Sequence, residues 1–594
     1  MNCRDKILSE DVQDYITDIP IEEISSLLPI VCSQKIDETY GTVYIDSERG
    51  VLPDSNLFEY QGIPKLYGLM QSEGDDVILS PGYVQPPFDP AALIASGISQ
   101  VQGPPLKLTG MGTVLCFIDT GIDYTSPVFR DEAGNTRIEA IWDQTIQSGN
   151  PPEGFSFGTE YTKAQINQAL RSENPWESVP TRDEIRHGTA IAAAAAGSVT
   201  GGGAVPESSI GIPAGFLGAA PDAGIVVVKL KSAKEYLRRY YLIPPEALAF
   251  QENDMMLAVR YCVNFVRLFQ RPIVICIALG TSFGDHSGTS LLSDYLNKVA
   301  VRRNCTVVVC GGNEGNNAHH FRGSFKRSSS EMQDMLTSPA RDAEIRVADH
   351  NGGFYMELWG RRTNVLNVSI RSPGGEVIPP IPLGLRQSIT FGFVYERTLL
   401  TVYSVLVEPS SGDELILFRL EDPTPGIWTI RVISQSSEQG GEFDLWLPIT
   451  QFQYSPVYFL SPDPDVTLTE PAMAGDVISV SAYNAANNGF YIDSGRGYSR
   501  TGLPRPDLAA PGVDLSTLYG RQSGSGFAAA LTAGAAAQFF QWAVTEGNSP
   551  YAESRVIKSY LVRGAKREAD ISYPSREWGY GRLDMAGVFA SLRV

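Results

Sequence analysis

Four short segments carry side chains that could support acyl transfer if the fold brings them together. Asp119 ends the apolar run Val114–Ile118, so its carboxylate stands at the C-terminal edge of a predicted parallel strand, where open α/β sheets place their sites. His187 is followed by Gly188-Thr189 and an alanine-rich stretch, which puts an imidazole at a predicted helix start. Asn313 lies in Gly311-Gly312-Asn313-Glu314-Gly315, just past another β-branched run, and offers a side-chain amide. Gly524-Ser525-Gly526 opens a second alanine-rich helix running through Ala533-Gly534-Ala535-Ala536-Ala537. Attack on a carbonyl needs a nucleophile, a base to take its proton, a carboxylate to orient the base and donors for the oxyanion. Singly, an Asp at a strand end reads as a turn former and a His at a helix start as a cap. Together they read as a site.

The elements that must position these residues alternate. Strands are predicted over 113–118, 225–230, 272–279 and 305–311 and helices over 187–197 and 253–268; the pattern resumes with a strand at 477–482 and a helix near 526–545. Apolar strands separated by amphipathic helices predict an α/β unit, 95–335 and 465–594, with a parallel sheet covered on both faces. Between 335 and 465 the alternation gives way to short strands at 353–359, 365–370, 400–407, 415–418, 426–432 and 442–447, punctuated by Gly and Pro. That texture predicts an inserted all-β sandwich of jelly-roll type. Residues 1–85 are acidic and mixed, with strand-like stretches at 42–45 and 63–70, and predict a small α+β domain; a Pro-rich linker covers 80–90.

With 594 residues the chain is too long for a single small module. Apolar residues are 43% and charged residues 19%, enough for a large core and too little charge for general disorder. Lys and Arg total 47 against 67 Asp and Glu, a net charge of −20, the wrong sign for neutralising phosphates. Nucleic acid and anionic membranes are poor partners. No apolar stretch approaches the roughly 18 residues of a membrane span, and the N-terminus lacks an apolar signal core, so cytoplasmic synthesis without a secretory signal is expected. The seven cysteines are odd in number, lack a CxxC and mostly sit in apolar runs. They predict buried free thiols rather than a disulfide framework, and no metal or cofactor is expected.

Asp, then His-Gly-Thr, then a Gly-Ser-rich helix start is the chain order of the subtilisin triad. Gly218-Ala219-Ala220-Pro221-Asp222, the segment Arg505–Gly512 and the segment Trp578–Asp584 look like framework pieces of the same fold. Residues from about 95 to 594 resemble the subtilisin-like serine proteases. The block order, with an N-terminal prodomain and an insertion after the oxyanion Asn, is similar to the Csp-type subtilases of spore-forming clostridia. The resemblance implies Asp119 and His187 as acid and base and Asn313 as oxyanion donor.

One position departs from the pattern. The family reads Gly-Thr-Ser-x-Ala at the last helix start, and alignment on Ala533–Ala537 places Gly526 at the nucleophile, where no oxygen exists. Ser525 is a candidate substitute, but one step along a helix turns a side chain by about 100°. The resemblance therefore implies a pseudoprotease that binds a peptide or protein, such as a related protease, in a pathway like spore germination, with incorporation into the spore. The alternative is an active endopeptidase using Ser525. Without a nucleophile the prodomain is expected to stay attached in a monomer, its linker around 72–90 covering the cleft. Ala278, where the family usually has Ser, and Arg186, where a small residue is common, predict drift in the peptide groove. His319 and His320 are expected on a loop surface, and Cys310 as a buried strand thiol. A third reading has Trp359, Trp428 and Trp446 facing solvent to bind a glycan or protein, although strand tryptophans more often sit in a sandwich core.

Overall fold

The computed structural model describes residues 3–20, 23, 30–46, 62–70, 89–198, 217–325, 339–382, 384–435 and 441–592. Its centre is an eight-stranded sheet in the order Leu508–Pro511, Ile478–Tyr483, Cys305–Cys310, Ile273–Ile277, Val114–Asp119, Gly224–Lys229, Ile138–Asp143, Thr159–Thr162. Neighbours are parallel except the last pair. Because side chains alternate along a strand, Leu115 and Phe117 enter one core, while Val114, Cys116 and Ile118 enter the other. The helices His187–Ala196 and Ser525–Phe540 cover the first face, and Glu252–Phe269 and Leu291–Ala300 the second. Burial on both sides is why these strands read as unbroken apolar runs.

Helix Ser525–Phe540 is buried along its whole length. With the turn that follows it to Thr545 it is long and apolar enough to cross a membrane, but 89% of that window lies inside the protein, as befits a core helix. Its small residues allow close approach: a Cβ on Gly534 would lie 2.3 Å from the Ala219 Cβ.

Residues from His320 to Phe459 form two antiparallel sheets, of six and five strands, packed over a common core that includes Met356, Phe418, Trp428 and Val432. The first strand, His320–Ser324, begins ahead of the expected boundary at 335. Strand Gly353–Gly360 is buried on both sides: Phe354, Met356 and Leu358 fill the sandwich, while Tyr355 and Trp359 join the core of the α/β unit. Trp359, Trp428 and Trp446 are all buried, so they are not the solvent-facing aromatics that glycan binding would need.

His319 and His320 correct the expectation of loop surface, since both are buried. His320 Nε2 lies 2.9 Å from Asp444 Oδ1 and its ring stacks on Trp446; His319 Nδ1 lies 2.8 Å from Glu314 Oε2. Each imidazole has a carboxylate partner, which makes burial tolerable.

At the N-terminus Val12–Thr17, Gly41–Asp46 and Ile30–Lys35 form a three-stranded antiparallel sheet with Gly41–Asp46 in the middle. Cys3 and Cys32, expected as free thiols, are paired as a disulfide with Cα atoms 5.5 Å apart. Helix Cys3–Leu8 carries one thiol to the strand bearing the other, a contact that the odd cysteine count conceals. The remaining five cysteines are buried and free. The 80–90 linker, up to residue 88, lies outside the described residues.

Candidate active site

The C-terminal ends of Val114–Asp119 and Cys305–Cys310, together with two helix starts, converge on one spot. Asp119 is buried, and its Oδ1 accepts the Thr120 amide at 2.7 Å and His187 Nδ1 at 2.7 Å. That bond leaves Nε2 of His187 facing away from the carboxylate, with no hydrogen-bond partner among the described residues. Burial pulls the His187 imidazole down, but the Asp119 charge and hydrogen bond, with Asp183 beyond, outweigh it and hold the group above its ordinary value. Gly188 is required by close packing, since a Cβ there would meet the Gly121 carbonyl oxygen at 2.3 Å.

Asp183 fixes this pair in place and is invisible in the sequence pattern. Its Oδ1 accepts from Thr120 Oγ1 at 2.8 Å and the Arg186 amide at 2.9 Å; its Oδ2 accepts from the Thr189 amide at 2.8 Å and Thr189 Oγ1 at 2.6 Å. The carboxylate thereby ties the strand end at Thr120 to the first turn of the His187 helix. Arg186 takes a left-handed conformation, φ 68°, to start that helix, and its guanidinium lies over the Tyr519 ring.

On the opposite side Asn313 Oδ1 accepts the Ser525 amide at 3.0 Å, while its Nδ2 is buried and has no partner among the described residues. A donor held without an acceptor is what an oxyanion site requires. Ser525 Oγ is buried, lies beside the Cys310 thiol and makes no hydrogen bond to His187 Nε2. Burial pushes the Cys310 thiol up to about 12, so it is not poised as a thiolate.

Residue 526 faces the cleft. The Gly526 amide donates to the carbonyl oxygen of Met70 at 3.2 Å, and a Cβ built on Gly526 would lie 3.1 Å from that same oxygen, 3.2 Å from Ala278 Cβ and 3.3 Å from Ile191 Cδ1. A side chain at 526 would therefore point at the Met70 carbonyl.

Met70 ends a segment that occupies the cleft as a peptide would. Strand Leu66–Leu69 is the middle of a three-stranded antiparallel sheet, paired with Leu279–Gly280 on one side and Phe250–Gln251 on the other. The Met70 amide donates to Ala278 O at 3.2 Å. Drift at Ala278 has thus not disabled the groove, because the contact it makes is through the backbone. The Gln451 side chain closes the far side, its Oε1 accepting the Leu69 amide at 3.2 Å and its Nε2 donating to Leu69 O at 2.5 Å. Lys65 anchors the start of the segment: its amide donates to Glu252 Oε2 at 3.0 Å, and its ammonium lies 4.0 Å from the same oxygen. Burial works against the Lys65 charge, but Glu252, Glu357, Glu408 and Glu470 outweigh it and hold the group above its ordinary value.

A parallel sheet carrying an Asp–His pair, an Asn amide and a helix start around a bound strand defines a subtilisin-type protein. The family model described as the subtilase family matches residues 110–344 and 460–581, and the chain belongs to that family. The gap in the match falls within the two antiparallel sheets. Among solved structures the chain is similar to the CspB protease of Clostridium perfringens, at 30% identity over 84% of this chain and 98% of that one, with a TM-score of 0.71. It also matches the patellamide maturation protease PatA at 13% identity, covering 81% of this chain and 97% of that one, with a TM-score of 0.37. No curated protein matches the chain.

Proposed function

We propose that this subtilase is a pseudoprotease, a scaffold that binds a peptide or protein without cutting it. The observation that carries the reading is Gly526: the residue aimed at the bound carbonyl has no side-chain oxygen. An acyl-enzyme needs that atom. In subtilisin, the reference enzyme for such sites, loss of the nucleophile alone costs about 10⁶ in kcat. The plugged cleft supports the same reading, because Leu66–Met70 fills the groove that a substrate would enter.

The likeness to a Csp protease makes a related protease the preferred partner, in a pathway such as spore germination, with this chain acting as a monomer whose N-terminal segment stays attached. The alternative of catalysis by Ser525 has no observation in its favour, since its hydroxyl and His187 Nε2 do not meet. Hydrolysis of casein by the purified protein tests the reading: no turnover above a heat-treated blank is expected, and turnover abolished by Ser525→Ala would overturn it. The partner is tested by titrating the intact protein against a purified Csp-type protease, where saturable binding or a changed rate is expected and neither would refute that part.

A further inference from the structure

Away from the cleft, a half-open cavity of about 290 Å³ lies where the N-terminal sheet meets the helices Glu252–Phe269 and Leu291–Ala300. That volume is at the lower end of small-molecule sites, about 300 to 1,000 Å³. Three cations line it, Lys35, Arg260 and Arg302, in a chain whose net charge is −20. Two carboxylates line it as well, and the Asp37 charge reaches Tyr295. Glu38 pairs with Lys35 at 2.8 Å, and Asp37 Oδ1 accepts the Thr39 and Tyr40 amides, both at 2.7 Å.

The two arginines have no such partner. Among the described residues Arg260 Nη1 donates to the Lys35 carbonyl, at 2.5 Å, and its guanidinium lies over the Phe155 ring. Neither Arg260 nor the exposed Arg302 has a carboxylate at ion-pair distance among the described residues. Tyr295 lines the same cavity and is only 2% exposed, yet its hydroxyl makes no hydrogen bond among the described residues. Burial pushes that phenol well up, so it is a neutral donor. The Tyr295 hydroxyl and two guanidinium groups without an ion-pair partner among the described residues together offer the cavity a set of hydrogen-bond donors.

We infer that this cavity binds a metabolite-sized oxyanion, a carboxylate or a phosphate ester, held by Arg260, Arg302 and Tyr295. The planar guanidinium fork suits either anion. Lys35, at the end of strand Ile30–Lys35, and Asp37, in the turn after it, form the sheet-side wall of the cavity. The inference goes beyond the pseudoprotease reading and does not depend on it.

Isothermal titration of the full-length protein with inorganic phosphate and with succinate, at ionic strength fixed by sodium chloride, tests it. Saturable binding of at least one is expected, weakened about tenfold or more by Arg260→Gln and by Arg302→Gln, each removing a charge-assisted hydrogen bond. Tyr295→Phe, which keeps ring and net charge, weakens binding several-fold and decides the matter if an arginine variant fails to fold. Arg303→Gln serves as the control, because Arg303 turns instead to Pro550 and Tyr551. Binding of phosphate alone assigns a phosphate ester, and binding of succinate alone a carboxylate. No saturable binding of either, or binding indifferent to Arg260, Arg302 and Tyr295, overturns the inference.

Discussion

The amide of Gly526 donates to the carbonyl oxygen of Met70 at 3.2 Å, so the position that would carry a nucleophile grips the chain's own backbone. Around that contact stand Asp119 bonded to His187 and the Asn313 amide, whose Nδ2 has no partner among the described residues. On the proposed reading the protein holds its own segment in the attitude of a substrate without the atom that would cut it.

Restoring that atom should restore chemistry. Gly526→Ser would place Cβ about 3.1 Å from the Met70 oxygen, 3.2 Å from Ala278 Cβ and 3.3 Å from Ile191 Cδ1, so each of these neighbours must give by a few tenths of an ångström. The expected outcome is self-cleavage between Met70 and Gln71, seen by intact mass as a new N-terminus at Gln71, and stopped by adding His187→Ala. An uncleaved Gly526→Ser protein with unchanged stability would mean that the cleft has drifted beyond one residue.

Gln451 should matter for holding the plug. Gln451→Ala leaves the amide and carbonyl of Leu69 without their side-chain partners, a loss of about 0.5 to 1.5 kcal/mol for each part-buried hydrogen bond. Hydrogen exchange across residues 66–70 should accelerate, with a lower Tm. Unchanged exchange there would show that the paired strands alone hold the segment.

The Asp119–His187 pair makes a directional prediction. With the Asp119 charge removed in Asp119→Asn, burial dominates and the His187 imidazole should titrate below its ordinary value instead of above it. The raised value in the wild type contributes stability that is present at low pH and fades as pH rises through it. Proton NMR of the imidazole reports both; a value still raised in Asp119→Asn would point to Asp183 as the main cause.

Glu470 should lower stability with rising pH as well, through a favoured neutral form rather than a favoured charged one. Burial, with Asp285 nearby, pushes its carboxyl up to about 7, and Ser290 and Ser293 both donate to its Oε2. The unfolded chain releases this proton near its ordinary value of about 4.3 while the native protein keeps it, so stability falls as pH rises from there to about 7. The loss is on the order of 3 kcal/mol, and Glu470→Gln should remove most of it, giving a higher Tm than the wild type at pH 8 and a flatter profile between pH 5 and 7. An identical profile in both proteins would exclude Glu470 as the source.

Much of the fold is legible in the sequence. The strands Val114–Asp119, Gly224–Lys229 and Cys305–Cys310 announce themselves because burial on both faces leaves Thr306 as their one interior polar residue. Strand Arg386–Gly392, at the edge of its sheet, alternates between exposed and half-buried positions with only Ile389 and Phe391 as large apolar residues, too weak a signal for the sequence to mark it as a strand. Asp119, His187 and Asn313 were legible through the short motifs around them. Asp183 was not, because it acts by accepting from two amides and two threonines rather than through a motif. Gln451 and Leu69 are 382 residues apart, and nothing local in either segment signals that they pair. His319 and His320 misled because adjacent polar residues after a Gly-rich loop look exposed; buried carboxylates at Glu314 and Asp444 make the difference.

Labelling with a fluorophosphonate, which forms a covalent bond only to a serine activated by its neighbours, tests the absence of a working nucleophile most directly. The wild-type protein should remain unmodified by intact mass, and Gly526→Ser should gain one adduct on residue 526. An adduct on wild-type Ser525 that depends on His187 would contradict the account.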